Sequence, residues 1–178
     1  MNRGNNPHCL EKKLTFNAST TLPYDPATVT GAFTDEAFLR AVGKRVGGVL
    51  ESVTLNGETS GAFTMTVVRT LPTERLPEMV RKFVGGFLAL TQVETWSAPG
   101  PDGSREARVE ITVKGVPVNV TAVQQLVADG ASTRVEVRGD VTSSIPFMGS
   151  RIAAAAEPMV SKALNLQSRE AQRWLESR

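Results

Sequence analysis

Arg134-Val135-Glu136-Val137-Arg138-Gly139-Asp140-Val141 is followed, past Ile145-Pro146-Phe147-Met148-Gly149, by Ser150-Arg151-Ile152-Ala153-Ala154-Ala155-Ala156. At this junction an apolar pattern of period two gives way to one of period three to four. The first half therefore reads as a strand with one apolar face, and the second opens a helix. Followed to Ser177, that helix is about 40 Å long at 1.5 Å per residue, enough to span a sheet. Ile152, Ala155, Ala156, Met159, Ala163 and Leu166 fall along one stripe, with Arg151, Lys162 and Arg169 mostly off it. Pro158 lies inside, where its missing N–H and its ring predict a bend near Ala154 that lets the helix follow a concave surface.

Upstream of the junction the chain is mostly strand. Val118, Val120, Ala122 and Leu126 alternate up to an Asp129-Gly130 turn, and Ala107, Val109, Ile111 and Val113 alternate with Arg108, Glu110, Thr112 and Lys114. Residues 87 to 98 also read as a strand, but both parities carry apolar residues and its inward face is not assigned. Ala62 to Thr70 puts Phe63, Met65 and Val67 on one face, and Val49 to Leu55 precedes it across an Asn56-Gly57 turn signal. Leu14, Phe16 and Ala18 begin the first strand, which Pro23 ends. Between that strand and Val49 stand two helix starts: Asp25 followed by Pro26, and Asp35 ahead of Phe38, Leu39, Val42 and Val46, the second stopped by Gly47-Gly48. A further short amphipathic helix is expected from Leu76 to Val84, with Leu76, Met79, Val80 and Phe83 on one face before Gly85-Gly86. The expected architecture is α+β: a seven-stranded curved antiparallel sheet, two short helices after strand one, and a long C-terminal helix.

Composition narrows the functional classes. The 178 residues with 40% hydrophobic content suffice for one core; residues 12–177 are expected to form a single domain behind a flexible tail at 1–11 that contains Gly4, Asn5, Asn6 and Pro7. The single Cys9 allows no internal disulfide, and with the only histidine, His8, it supplies too few ligands for a zinc site. No metal and no cofactor is expected. Twenty basic and 18 acidic residues are mixed along the chain without a basic stripe, so nucleic acid is not an expected partner. No segment approaches the ~18 apolar residues of a membrane span, and the protein is read as soluble and cytoplasmic. The oligomeric state is left open.

Phe33-Thr34-Asp35-Glu36-Ala37-Phe38, Val93-Glu94-Thr95-Trp96 and Ile145-Pro146-Phe147-Met148-Gly149 carry a resemblance to an actinobacterial family of uncharacterised START-like proteins. It covers about Lys12 to Leu175. The resemblance implies the helix-grip fold shared by START lipid-transfer domains, polyketide cyclases and pollen-allergen-like proteins, together with an apolar pocket; it brings no site residue.

A bent sheet gripping one helix stays open at its centre unless the inward side chains are large. Here Val53, Val67, Val109, Val118, Val120, Ala122, Val135 and Val137 face Ala155, Ala156 and Ala163. Small residues on both walls fit either a close helix-to-sheet contact or a void of ligand size, roughly 300–1,000 Å³. The expected function is binding or carriage of a hydrophobic small molecule or lipid. Phe63, Met65, Val67, Ile111, Val120, Met148, Ile152 and Met159 are the expected lining. Arg69 and Gln124 share the inward parity and are candidates to anchor a carboxylate or hydroxyl; the competing expectation, favoured because arginine is so rarely buried, puts both at strand ends with their heads in water. Glu94 and Trp96 share a face and are expected to form a hydrogen-bonded pair. The segment from Leu76 to Gly86 is a candidate gate, and Arg81 and Lys82 beside Phe83 are candidates for transient contact with an anionic membrane.

Two alternatives remain. A polyketide cyclase-like enzyme would need a fixed acid or base in the cavity, yet Tyr24 lies in a loop and Ser143 and Ser144 have no visible base, so no catalytic residue is assigned. A protein-interaction domain with a filled core would use Trp174 and Leu175, although Trp174 also fits as the end of the helix stripe.

Overall fold

The computed structural model describes residues 12–75, 78–82, 85–143 and 149–178. Seven strands form one antiparallel sheet: β1 (Lys12–Leu22), β2 (Val49–Asn56), β3 (Phe63–Pro72), β4 (Phe87–Trp96), β5 (Arg105–Val113), β6 (Val116–Asp129) and β7 (Ser132–Ser143). Helices α1 (Pro26–Thr34) and α2 (Glu36–Arg45) follow β1, a short α3 (Glu78–Arg81) lies between β3 and β4, and α4 (Gly149–Glu176) closes the chain. The sheet order β1-β7-β6-β5-β4-β3-β2 joins the start of the chain to its end, and α4 packs chiefly over β1 and β7.

Local chemistry explains the elements. Asp25 caps α1 by accepting from the Ala27 and Thr28 amides at 3.0 Å, and Asp35 caps α2 by accepting from Ala37 at 2.8 Å and Phe38 at 3.2 Å. Between β6 and β7, Asp129 pairs with Ser132, leaving Gly130-Ala131 as the loop; Gly130 takes φ +61°, a left-handed conformation most side chains resist. A 3-10 turn at Thr73–Arg75 precedes the gate segment, whose described part holds α3 where a helix was expected over 76–84; residues 76, 77, 83 and 84 lie outside the described residues. The expected tail at 1–11 does so too.

The helix stripe is a correction. Met159 is 37% exposed and Ala163 is exposed, whereas Val160, Leu164, Ala171 and Trp174 pack onto the core. Those positions step by four, seven and three residues, one residue out of phase with the expected stripe. The alanine run ahead of Pro158 is apolar on every side, so it supplies no phase, and the core-facing residues of the second half decide it. Pro158 sits within a helix that continues on both sides of it.

The C-terminal half of α4 closes one end of the sheet with α1 and α2. Phe33 and Phe38 stack at 6.2 Å between centroids, and Phe38 meets Trp174 at 5.9 Å. Arg178 lies over the Trp174 ring at 4.4 Å and pairs with Asp35 at 3.3 Å. Trp174, half-buried, thus ends the stripe and packs against the core.

Candidate ligand-binding site

Strand register arranges the inward side chains in rows across the sheet. Phe63, Trp96, Ala107, Gln124, Val137 and Ala18 form the first row. Met65, Glu94, Val109, Ala122, Gly139 and Phe16 form the second, and Val67, Gln92, Ile111, Val120, Val141 and Leu14 the third. Arg69, Leu90 and Val113 continue as a fourth row on β3 to β5. Filling decreases along this series. The first row is buried except for the half-buried Ala18; in the third, Gln92 and Ile111 are only half-buried, and in the fourth Arg69, Leu90 and Val113 all are. Among the described residues α4 packs chiefly on β1 and β7, and the inner face of β3 to β5 at this end is half-buried.

β4 settles the parity that its sequence left open. Leu88, Leu90, Gln92, Glu94 and Trp96 point inward, while Phe87, 72% exposed, Val93 and Thr95 share the outer parity. Two polar residues therefore point into the concave face from one strand. Glu94 is buried and accepts from the Trp96 indole at 2.8 Å and from the Gln92 amide at 2.5 Å, so the expected Glu94–Trp96 pair is present and Gln92 completes it. Burial raises the Glu94 carboxyl above its ordinary pKa, and the Trp96, Gln92 and Arg69 interactions oppose the rise.

Arg69 and Gln124 are not held in water at strand ends. Gln124 is 5% exposed in the middle of β6, and the Nε of Arg69 is buried with no hydrogen-bond partner. Burial lowers the Arg69 pKa from its ordinary value while the charge of Glu94 raises it. The strong prior against buried arginine gave the wrong placement for Arg69, because the inner face of β4 supplies an acid that sequence parity did not reveal. The two anchor candidates are also far apart: Arg69 belongs to the fourth row on β3 and Gln124 to the first row on β6. Gln124 borders a crevice with Phe33, Val135 and Leu164 whose ≈ 10 Å³ is about the space of one water. That crevice is too small for a ligand.

Among the other expected lining residues, Phe63, Met65, Val67 and Val120 are buried on the inner face and Ile111 is half-buried there. Met148 and the side chain of Ile152 lie outside the described residues. Arg81 and Lys82 are exposed, Lys82 lying 4.0 Å from Glu78, and Thr73 ties the ends of the gate segment by donating to the carbonyls of Gly85 (2.8 Å) and Gly86 (3.2 Å).

Sequence reading passed over Arg105. Its side chain donates to the carbonyls of Thr59 (2.8 Å), Gly61 (2.7 Å) and Ser97 (2.6 Å) and lies 5.1 Å from the Phe63 and 5.3 Å from the Trp96 ring centroid. It shares the parity of Ala107 and Val109, and that was the available signal.

A curved antiparallel sheet gripping a long C-terminal helix, with two short helices after the first strand, is the START-like helix-grip class. Within it, the chain belongs to the DUF2505 family, described as a protein of unknown function, which matches residues 17–175. No curated protein matches it in sequence. Solved structures share the fold at low identity. An uncharacterised protein of Rhizobium leguminosarum is similar with a TM-score of 0.59 at 11% identity, covering 94% of this chain and 97% of that one. The Zhui aromatase/cyclase of Streptomyces sp. R1128 has a TM-score of 0.56 at 13% identity, covering 92% and 96%. Truncated norcoclaurine synthase of Thalictrum flavum has a TM-score of 0.53 at 9% identity, covering 98% of each chain. At such identities the likeness is one of fold. Among the described residues no helix is long and apolar enough to cross a membrane.

Proposed function

We propose that this chain, as one domain over residues 12–177, binds a hydrophobic small molecule or lipid in the hollow between the inner face of β3 to β5 and α4. The observation that carries the reading is the uneven filling of the concave face. Inward side chains at the α1–α2 end are buried, while Ile111, Val113, Leu90 and Leu88 at the other end are apolar and only half-buried. Apolar surface left accessible on a concave face is where a hydrophobic ligand gains most by leaving water, at about 25 cal/mol per Å² buried. The segment from Leu76 to Gly86 follows β3 at the open end and is the proposed gate.

Filling the hollow tests this. A neutral, environment-sensitive apolar dye is expected to bind the native protein with a blue-shifted emission. Ile111→Trp, whose larger side chain points into the hollow, should weaken that binding about tenfold or more while thermal unfolding stays cooperative. Thr112→Trp, one residue along on the outer face, should leave it unchanged. Equal binding by both variants and the native protein would place the dye elsewhere and defeat the proposal.

A further inference from the structure

Three charged side chains lie on the inner face of β3 to β5: Arg69, Glu94 and Arg105. Their partners are unequal. Arg105 donates to three backbone carbonyls, and Glu94 accepts from Gln92 and Trp96, one donor on each oxygen. The Nε of each arginine is buried without a partner, but Arg105 is held by its other nitrogens, whereas the Arg69 side chain makes no hydrogen bond and no ion pair among the described residues, Glu94 acting on it only through its charge. Arg105 stands eight residues along β5 from the fourth row, so among the described residues the counter-charge near Arg69 is Glu94 alone, two rows away on β4 with both oxygens already taken by other donors. A guanidinium whose buried Nε–H has no acceptor is costly, and groups of this kind are ordinarily paired.

From this we infer that the ligand is a hydrophobic monocarboxylate whose head is held by Arg69 in the fourth row while its apolar body lies along Ile111, Leu90 and Val113. This deepens the proposed function and rests on it. The Nε–H and one Nη–H of a guanidinium form a planar fork matching the two oxygens of a carboxylate. A hydroxyl fills only one position of the fork and brings no charge. A phosphate dianion would set two negative charges near the buried Glu94 carboxyl, which burial already disfavours as an anion. A monocarboxylate satisfies the orphaned Nε and gives Arg69 the ion pair it lacks while adding only one negative charge.

Matched probes test the assignment: dodecanoate and 1-dodecanol, titrated calorimetrically at pH 8 into the full chain and into Arg69→Met and Arg69→Lys. The native protein is expected to bind dodecanoate about tenfold or more tightly than dodecanol. Arg69→Met should remove that preference without weakening dodecanol, and Arg69→Lys should keep part of it. An equal affinity of the native protein for both probes, or an acid preference that survives in Arg69→Met, overturns the anchor while leaving the hydrophobic site standing. Failure of both probes to bind the native protein overturns the anchor and the site together. Should Arg69→Met not fold, the acid-to-alcohol ratio of the native protein decides alone.

Discussion

Gly139→Ala is expected to destabilise the domain by about 2–3 kcal/mol, although glycine-to-alanine changes in strands ordinarily help by restricting the unfolded chain. Gly139 pairs with Phe16 on one side and Ala122 on the other, in the second inward row. A Cβ built at this position would lie 2.5 Å from Phe16 Cζ, 2.6 Å from Ala122 Cβ and 2.6 Å from the Thr121 carbonyl oxygen. The Phe16 ring occupies the space a side chain would need, and the backbone oxygen behind it leaves no route of retreat. For a chain of this size the loss corresponds to a melting temperature lower by about 4–12 °C. Urea denaturation of Gly139→Ala, Phe16→Leu and the double variant checks it. The double variant should be more stable than the sum of the single losses predicts, because the smaller side chain makes room. A Gly139→Ala protein as stable as the native one would contradict the packing of Phe16.

Arg105→Met is expected to cost about 3–5 kcal/mol, because three backbone carbonyls lose a charged donor and such bonds are each worth about 1.5 kcal/mol or more. Methionine keeps most of the length and the apolar contact with Phe63 and Trp96, so the loss isolates the guanidinium. Three carbonyls, on Thr59 and Gly61 between β2 and β3 and on Ser97 after β4, lose their donor at once. Arg105→Lys should recover only a small part, since an ammonium cannot reach three oxygens in the fixed geometry of the guanidinium fork. Chemical denaturation measures both. Hydrogen exchange should show faster opening of residues 57–62 than of β6 and β7. Uniform exchange and unchanged stability would mean that Arg105 ties nothing down.

Particular residues show why much of the fold was legible in the sequence and the site less so. Strands β5 and β7 are each apolar on one face and charged on the other, so their period and inward face follow directly. Asp25-Pro26 and Asp35 carry the helix starts in their own side chains. Strand β4 breaks the rule that polar residues face water: Gln92 and Glu94 point in and Phe87 points out, so alternation alone could not orient it. Local rules tend to fail at sites that do something other than pack. Arg69 was misplaced for a related reason, since its burial depends on a carboxylate one strand away. In α4 the uniform alanines left the phase of the stripe free until tertiary contacts fixed it. Arg105 was overlooked because a charged residue at the start of a strand reads as solvated unless the loop carbonyls it binds are known.

Native and denaturing mass spectrometry of the protein purified from its own host tests most directly whether the hollow is a binding site. The predicted result is a native mass exceeding the chain mass by one small organic molecule, lost on denaturation and recovered in the organic extract as a hydrophobic species. A native mass equal to that of the chain, together with no uptake of an apolar dye, would contradict it and mean that the half-buried face of β3 to β5 holds no ligand.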